Sequence, residues 1–296
     1  MTLREFKGLA IHTSESAQEK LRLTQYHLSF KNMVNVWISL ATQRYKDGVM
    51  KATTQFEEEP VTEGAQYSSL ARNLIDLIVV VCSFWKNLDW PNPTESFQYL
   101  MKLVQETCSG TNCFVEQVCK NIKLHGFFNI TPDGFTVTKK LCIALNDIEQ
   151  VRRGLKDLPD FIQWDLSMQL LNEVDGSGAT ASRELQELLD KTDETILLTI
   201  TSLTVDISEK MRPSIKKGMR SVVHSACKQD FYHMSTPLME YLMQSLQQLH
   251  SSVFESVFKQ LLIHIWNIVM EKMYKHVQTS RDKVSSDIST LQCSKI

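Results

Sequence analysis

Ten residues, Leu185, Leu189, Thr192, Ile196, Ile200, Leu203, Ile207, Met211, Ile215 and Met219, follow one another at intervals of three or four without a break. An α-helix returns side chains to one face at that spacing, and holding all ten takes about 35 residues, roughly 50 Å at 1.5 Å per residue. Such a helix packs along several partners, so a long bundle is favoured over a compact globule. Pro213 is expected to bend or break it near its end.

The same spacing recurs along the rest of the chain, while sustained apolar/polar alternation is scarce, so the fold is expected to be all-α. Helices are predicted over residues 16–28 and 32–56, the second stopped by Glu57-Glu58-Glu59-Pro60. A third covers residues 66–88, with Leu70, Leu74, Ile78, Val81 and Trp85 on its apolar face. Trp90-Pro91-Asn92-Pro93 then forces a turn, and Thr94 is expected to cap a helix running through Leu100, Val104, Phe114, Val118 and Ile122, split or weakened at Gly110. Residues 126–137 read as an apolar loop or short hairpin.

Next comes an amphipathic helix with Leu141, Leu145, Ile148, Val151 or Arg152, and Leu155 on its stripe, closed by Pro159. Asp175-Gly176-Ser177-Gly178 is expected to be a flexible separator between two halves. Beyond the long helix, Thr236 and Pro237 form a start signal. A last helix over residues 251–277 is apolar on more than one face. The organisation expected is a segment at 1–30, a first bundle at 31–175, a second at 176–278, and a disordered tail at 279–296.

Composition bounds the function. With 43% hydrophobic residues and only 10 Gly and 7 Pro in 296 residues, the chain can bury an ample core. A net charge of -2 offers no broad basic field, which argues against nucleic acid as a partner. Seven cysteines, an odd number among apolar residues, point to reduced thiols and a cytoplasmic location. Arg4, Glu5 and Lys7 interrupt any signal-peptide core, and the densest apolar run, 74–85, contains Asp76 and falls short of the roughly 20 residues a membrane span needs.

Catalytic signals are missing: no Gly-rich phosphate loop, no G-x-S-x-G and no H-E-x-x-H, so neither enzyme nor cofactor is expected. Cys108, Cys113 and Cys119 do not stack on one helix face, and structural thiols are favoured over a zinc site. His224, Cys227 and His233 lack a fourth ligand. Asn146 and Asp147, set inside a helix, are either an exposed recognition pair or, with better support, buried groups that fix packing register. Lys210, Arg212, Lys216, Lys217 and Arg220 form the sharpest charge cluster. They read either as complements to the helix dipole or as a contact for acidic helices or anionic lipid.

Four stretches together resemble the MUN-domain vesicle-priming proteins, the uncoordinated-thirteen and BAI-associated group. They are Trp90-Pro91-Asn92-Pro93, Leu145-Asn146-Asp147 with Val151-Arg152, Pro237-Leu238-Met239-Glu240-Tyr241-Leu242, and the segment from Leu261 through Trp266 to Val269. The resemblance implies an elongated rod of stacked helical bundles, similar to tethering-complex subunits. It implies a protein that binds SNARE proteins and SNARE chaperones to dock or prime secretory vesicles, with small GTPases of those vesicles as further partners. Membrane contact is then peripheral, at the vesicle or plasma membrane. Family members carry C2 modules beside the rod, and none is visible here, so a truncated, non-priming form and a subunit of a multisubunit tether are the alternatives.

Overall fold

A computed structural model describes residues 12–14, 16–17, 26–54, 61–62, 64–124, 128–131, 134–225 and 231–293. The order is α1 (Tyr26–Thr54), α2 (Ser69–Leu88), α3 (Pro93–Leu124), β1 (Phe128–Thr131), β2 (Gly134–Val137), α4 (Lys139–Lys156), α5 (Leu158–Phe161), α6 (Trp164–Asp175), α7 (Gly178–Ser225), α8 (Phe231–Ser252) and α9 (Glu255–Cys293). The fold is all-α, with one antiparallel hairpin where the sequence left a loop or hairpin open; Phe128 pairs with Val137 and Thr131 with Gly134.

The chain divides into two units, one of Met1–Asn121 with Asp147–Leu198, the other of Ile122–Asn146 with Thr199–Ile296. This differs from the boundary expected at residues 175/176. Both α4 and α7 contribute to each unit, α4 changing between Asn146 and Asp147 and α7 between Leu198 and Thr199. The separator itself is a tight turn. Gly176 adopts φ 72 and donates its N–H to Asn172 O at 3.0 Å, while Asp175 accepts from both the N–H and hydroxyl of Ser177.

In the first unit, α1 buries Val34, Ile38, Ala41, Tyr45 and Val49, and α2 buries Leu74, Ile78, Cys82 and Trp85. No break separates residues 28 and 32. Gly110 does not split α3 either: the Tyr45 ring lies against it where a Cβ would stand, and the Tyr45 hydroxyl meets Thr111 Oγ1 at 2.9 Å. In the second unit, Phe135 and Val137 of the hairpin are buried, as are Leu203, Ile207, Met211 and Ile215 of α7 and Val257, Leu261 and Ile265 of α9.

Nine of the ten long-helix stripe residues are buried, Met219 being the exception. Pro213 neither ends nor interrupts α7, which runs on to Ser225; Pro213 lies on the exposed side, where water can serve the freed carbonyl one turn back. Residues Leu141 to Glu149 of α4 are all buried, so this helix is enclosed rather than amphipathic over that stretch. Pro237 lies inside α8, which begins earlier, at Phe231. With no Gly or Pro after Pro237, α9 continues to Cys293 instead of fraying at residue 278.

Candidate interaction surfaces

Asn146 and Asp147 are fully buried, which settles the choice between an exposed pair and a packing pair. In the second unit, Asn146 Nδ2 donates to Ser252 O at 2.7 Å, and its Oδ1 accepts from Phe254 N at 2.9 Å, so one amide holds both sides of the α8–α9 corner. In the first unit, Asp147 accepts from the N–H and the hydroxyl of Ser68, the N-cap of α2. Burial pushes the Asp147 carboxyl up to about 7, against those two hydrogen bonds. One helical turn on, Val151 is buried, and Arg152 joins Glu149 at 2.7 Å to Asp193 of α7 at 2.8 Å.

The Trp-Pro-Asn-Pro turn is also structural. Asp89 takes the left-handed conformation at φ 47 to end α2. Asn92, not Thr94, caps α3, its Oδ1 accepting from Glu95 N at 3.0 Å across Pro93 at the first helical position. Glu95 in turn receives Trp90 Nε1 at 3.1 Å and Lys31 Nζ at 2.7 Å, and Trp90 packs edge-on against Tyr99. Pro91 is half-buried in the same turn.

The basic cluster is not uniform. Arg212 is consumed by Glu209 and by Glu271 of α9, each at 2.6 Å, and Lys210 is half-buried. Lys216, Lys217 and Arg220 are exposed. Because α7 ends at Ser225, Lys216 and Lys217 lie about two turns upstream of its terminus, beyond the last turn where the dipole acts. In α8, Leu238 is buried against Gly218, Tyr241 donates to Phe135 O at 3.1 Å, and Leu242 is half-buried, whereas Trp266 of α9 is exposed.

A further surface escaped the sequence reading. On α1, Met33, Val36 and Leu40 are exposed beside half-buried Trp37, at the i, i+3, i+4, i+7 spacing of a helix-binding ridge. Trp37 stacks on Phe84 of α2 with centroids 4.4 Å apart, and Val80 extends the apolar face. The signal was present in α1 as a second apolar stripe beside Val34, Ile38, Ala41 and Tyr45. Six polar and apolar residues of α3 and four of α7 line a 570 Å³ cleft in the first unit; it contains Asn112, Glu116 and Lys191 but no histidine to serve as a base.

Burial also decides the thiols. It pushes Cys82 and Cys142 up to about 12 and raises Cys108, so these are core groups held protonated. Among the described residues no His, Cys, Asp and Glu group could hold a metal ion. The His224 side chain and Cys227 lie outside the described residues. Among the described residues no helix is long and apolar enough to cross a membrane.

Buried polar pairs on α4, two helices that each contribute to both units, and exposed apolar residues on α1, α2 and α9 characterise an all-α fold of packed helices. The MUN domain family model matches residues 12–293, and the chain belongs to that family. It is 24% identical over 271 residues to protein unc-13 homolog 4B of Drosophila melanogaster, covering 90% of this chain and 23% of that protein. It is 24% identical over 289 residues to protein unc-13 homolog D of Homo sapiens, covering 95% and 25%, and 22% identical over 267 residues to BAI1-associated protein 3 of Mus musculus, covering 90% and 22%. The chain therefore spans about a quarter of the length of these relatives.

Proposed function

We propose that this chain is a non-enzymatic scaffold that binds SNARE proteins and their chaperones, and through them docks or primes secretory vesicles. The observation that carries the reading is the exposed α1–α2 ridge of Met33, Val36, Trp37, Leu40, Val80 and Phe84, a surface suited to the apolar stripe of a partner helix. Family membership directs that chemistry to the exocytic machinery. The exposed Lys216, Lys217 and Arg220 add attraction for acidic helices, with salt-dependent association. The proposal places the chain in the cytoplasm, peripherally at vesicle or plasma membrane, with small GTPases of secretory vesicles as further partners.

The ridge is tested by Trp37→Glu combined with Phe84→Glu, measured by titration against purified SNARE proteins. Binding weakened at least about tenfold in a variant of unchanged helicity supports it. Equal binding by both proteins removes the ridge from the interface.

A further inference from the structure

The short helix α6, within the first unit, carries apolar side chains on opposite faces. Trp164, Met168 and Leu171 are buried, while Leu166, Leu170 and Val174 are exposed on the other side, at the i, i+4, i+8 spacing of one stripe about 12 Å long. Beside Leu166 opens a 320 Å³ cleft lined by Asp160, Gln163, Trp164 and Asp165. Gln163, in the left-handed conformation at φ 53, turns the chain sharply between α5 and α6, and both aspartates reach this cleft. Trp164 Nε1 donates to Ser182 Oγ at 2.9 Å, which holds the ring in the cleft wall. A second cleft of 320 Å³ continues past the shared Pro159 and Gln186 to Asp190 and Asp193. Arg152 and Lys156 take up Asp193, whereas Asp160, Asp165 and Asp190 are exposed and meet no basic side chain among the described residues. Residues 157–194 hold ten Asp and Glu against Arg183 and Lys191, a formal charge of -8 in a chain whose total is -2.

We propose that this face docks a basic amphipathic helix of a partner protein, with the partner's apolar stripe on Leu166, Leu170 and Val174 and one of its lysine or arginine side chains in the Trp164 cleft. Charge selects this occupant, because the local excess of carboxylates repels acidic helices and anionic lipid and attracts cationic side chains. A single bound cation does not fit: the carboxylates are spread along the groove, and among the described residues no group of His, Cys, Asp and Glu could hold a metal ion. The Trp164 ring beside two carboxylates suits a charged head on a long apolar stem, which gains cation–π contact and ion pairing together. Area argues against a second copy of this chain. The exposed stripe offers roughly 250–300 Å², and twice that stays well below the about 1,200 Å² at which stable interfaces begin. The site uses none of the residues of the α1–α2 ridge or of the basic cluster on α7, and it stands whether or not those surfaces bind SNARE helices.

The test is a titration of the full chain, at low salt, with a synthetic amphipathic peptide of leucine, lysine and arginine whose leucines lie on one helical face. Binding is expected, and it should weaken at least about tenfold with Leu170→Ser plus Val174→Ser and likewise with Asp160→Asn plus Asp165→Asn. All four positions are exposed, so helicity should be unchanged. A peptide of the same composition with its leucines scattered, and one with glutamate in place of the basic residues, are expected to bind at least about tenfold more weakly. Equal binding of the scattered peptide reduces the attraction to bulk charge and overturns the proposal, as does binding that both variants retain, or absence of binding by the folded chain. Light scattering alongside is expected to give the 34.0 kDa monomer. A dimer that Leu170→Ser with Val174→Ser dissolves assigns the face to a second copy and likewise overturns it.

Discussion

Asp147 secures the start of α2 through Ser68: the Ser68 N–H reaches one carboxylate oxygen at 2.7 Å and its hydroxyl reaches the other at 2.8 Å. Ser68 Oγ also accepts from Leu70 N at 3.2 Å, so the helix cap is itself held in place from α4. Asp147→Ala leaves a buried N–H and hydroxyl without a partner and is expected to cost about 1–3 kcal/mol. Ser68→Ala is expected to cost about 1 kcal/mol for the cap alone. Because both changes strike one network, their costs in chemical denaturation should fall short of additivity in the double variant.

The same carboxyl makes stability depend on pH. Its ordinary value is 3.8 and burial raises it to about 7, so between those values the folded chain keeps a proton that the unfolded chain has released. Its contribution therefore favours folding in acid and is lost as pH rises through about 7, by up to about 1.4 kcal/mol per pH unit. Asp147→Asn should flatten that slope between about pH 4 and pH 7 in urea melts. A slope unchanged by the substitution would remove Asp147 as its source.

Asn146 and its neighbour are not interchangeable. Asn146→Ala frees Ser252 O and Phe254 N–H at the α8–α9 corner and is expected to cost about 1–3 kcal/mol. Asn146→Asp keeps an acceptor for Phe254 but sets a carboxylate against the Ser252 carbonyl, and should cost at least as much at neutral pH. Denaturation of both variants beside Asp147→Asn checks this asymmetry.

Close approach of a neighbouring side chain to the backbone explains two glycines. Gly110→Ala drives a methyl into the Tyr45 ring, and Gly218→Ala sets a Cβ 2.8 Å from Leu238 Cβ. Each is expected to destabilise by about 1–3 kcal/mol despite the better helix propensity of alanine, a reversal visible in thermal melts.

Periodicity exposed the helices and most of the core. The stripe from Leu185 to Ile215 is buried as its spacing required, because one-face burial leaves a repeating mark on a sequence. Enclosure leaves none, and α4 looked amphipathic because Asn146, Asp147 and Glu149 are polar residues satisfied inside. Start signals misled at two places: Pro237 is tolerated inside α8, and Asn92, two residues earlier, takes the cap expected of Thr94 through its own local bond to Glu95 N. The α1–α2 ridge went unread because Trp37 and Phe84, distant in sequence, acquire meaning only when stacked.

SNARE engagement is tested most directly by binding of the purified chain to SNARE proteins and their chaperones at low and high salt, beside a variant carrying Lys216→Glu, Lys217→Glu and Arg220→Glu. The account predicts binding that weakens with salt, that falls at least about tenfold in the variant, and that leaves folding stability within about 0.5 kcal/mol. Absence of binding by the folded chain would contradict the scaffold reading. Salt-independent binding that the variant retains would contradict the role given to the exposed basic residues of α7.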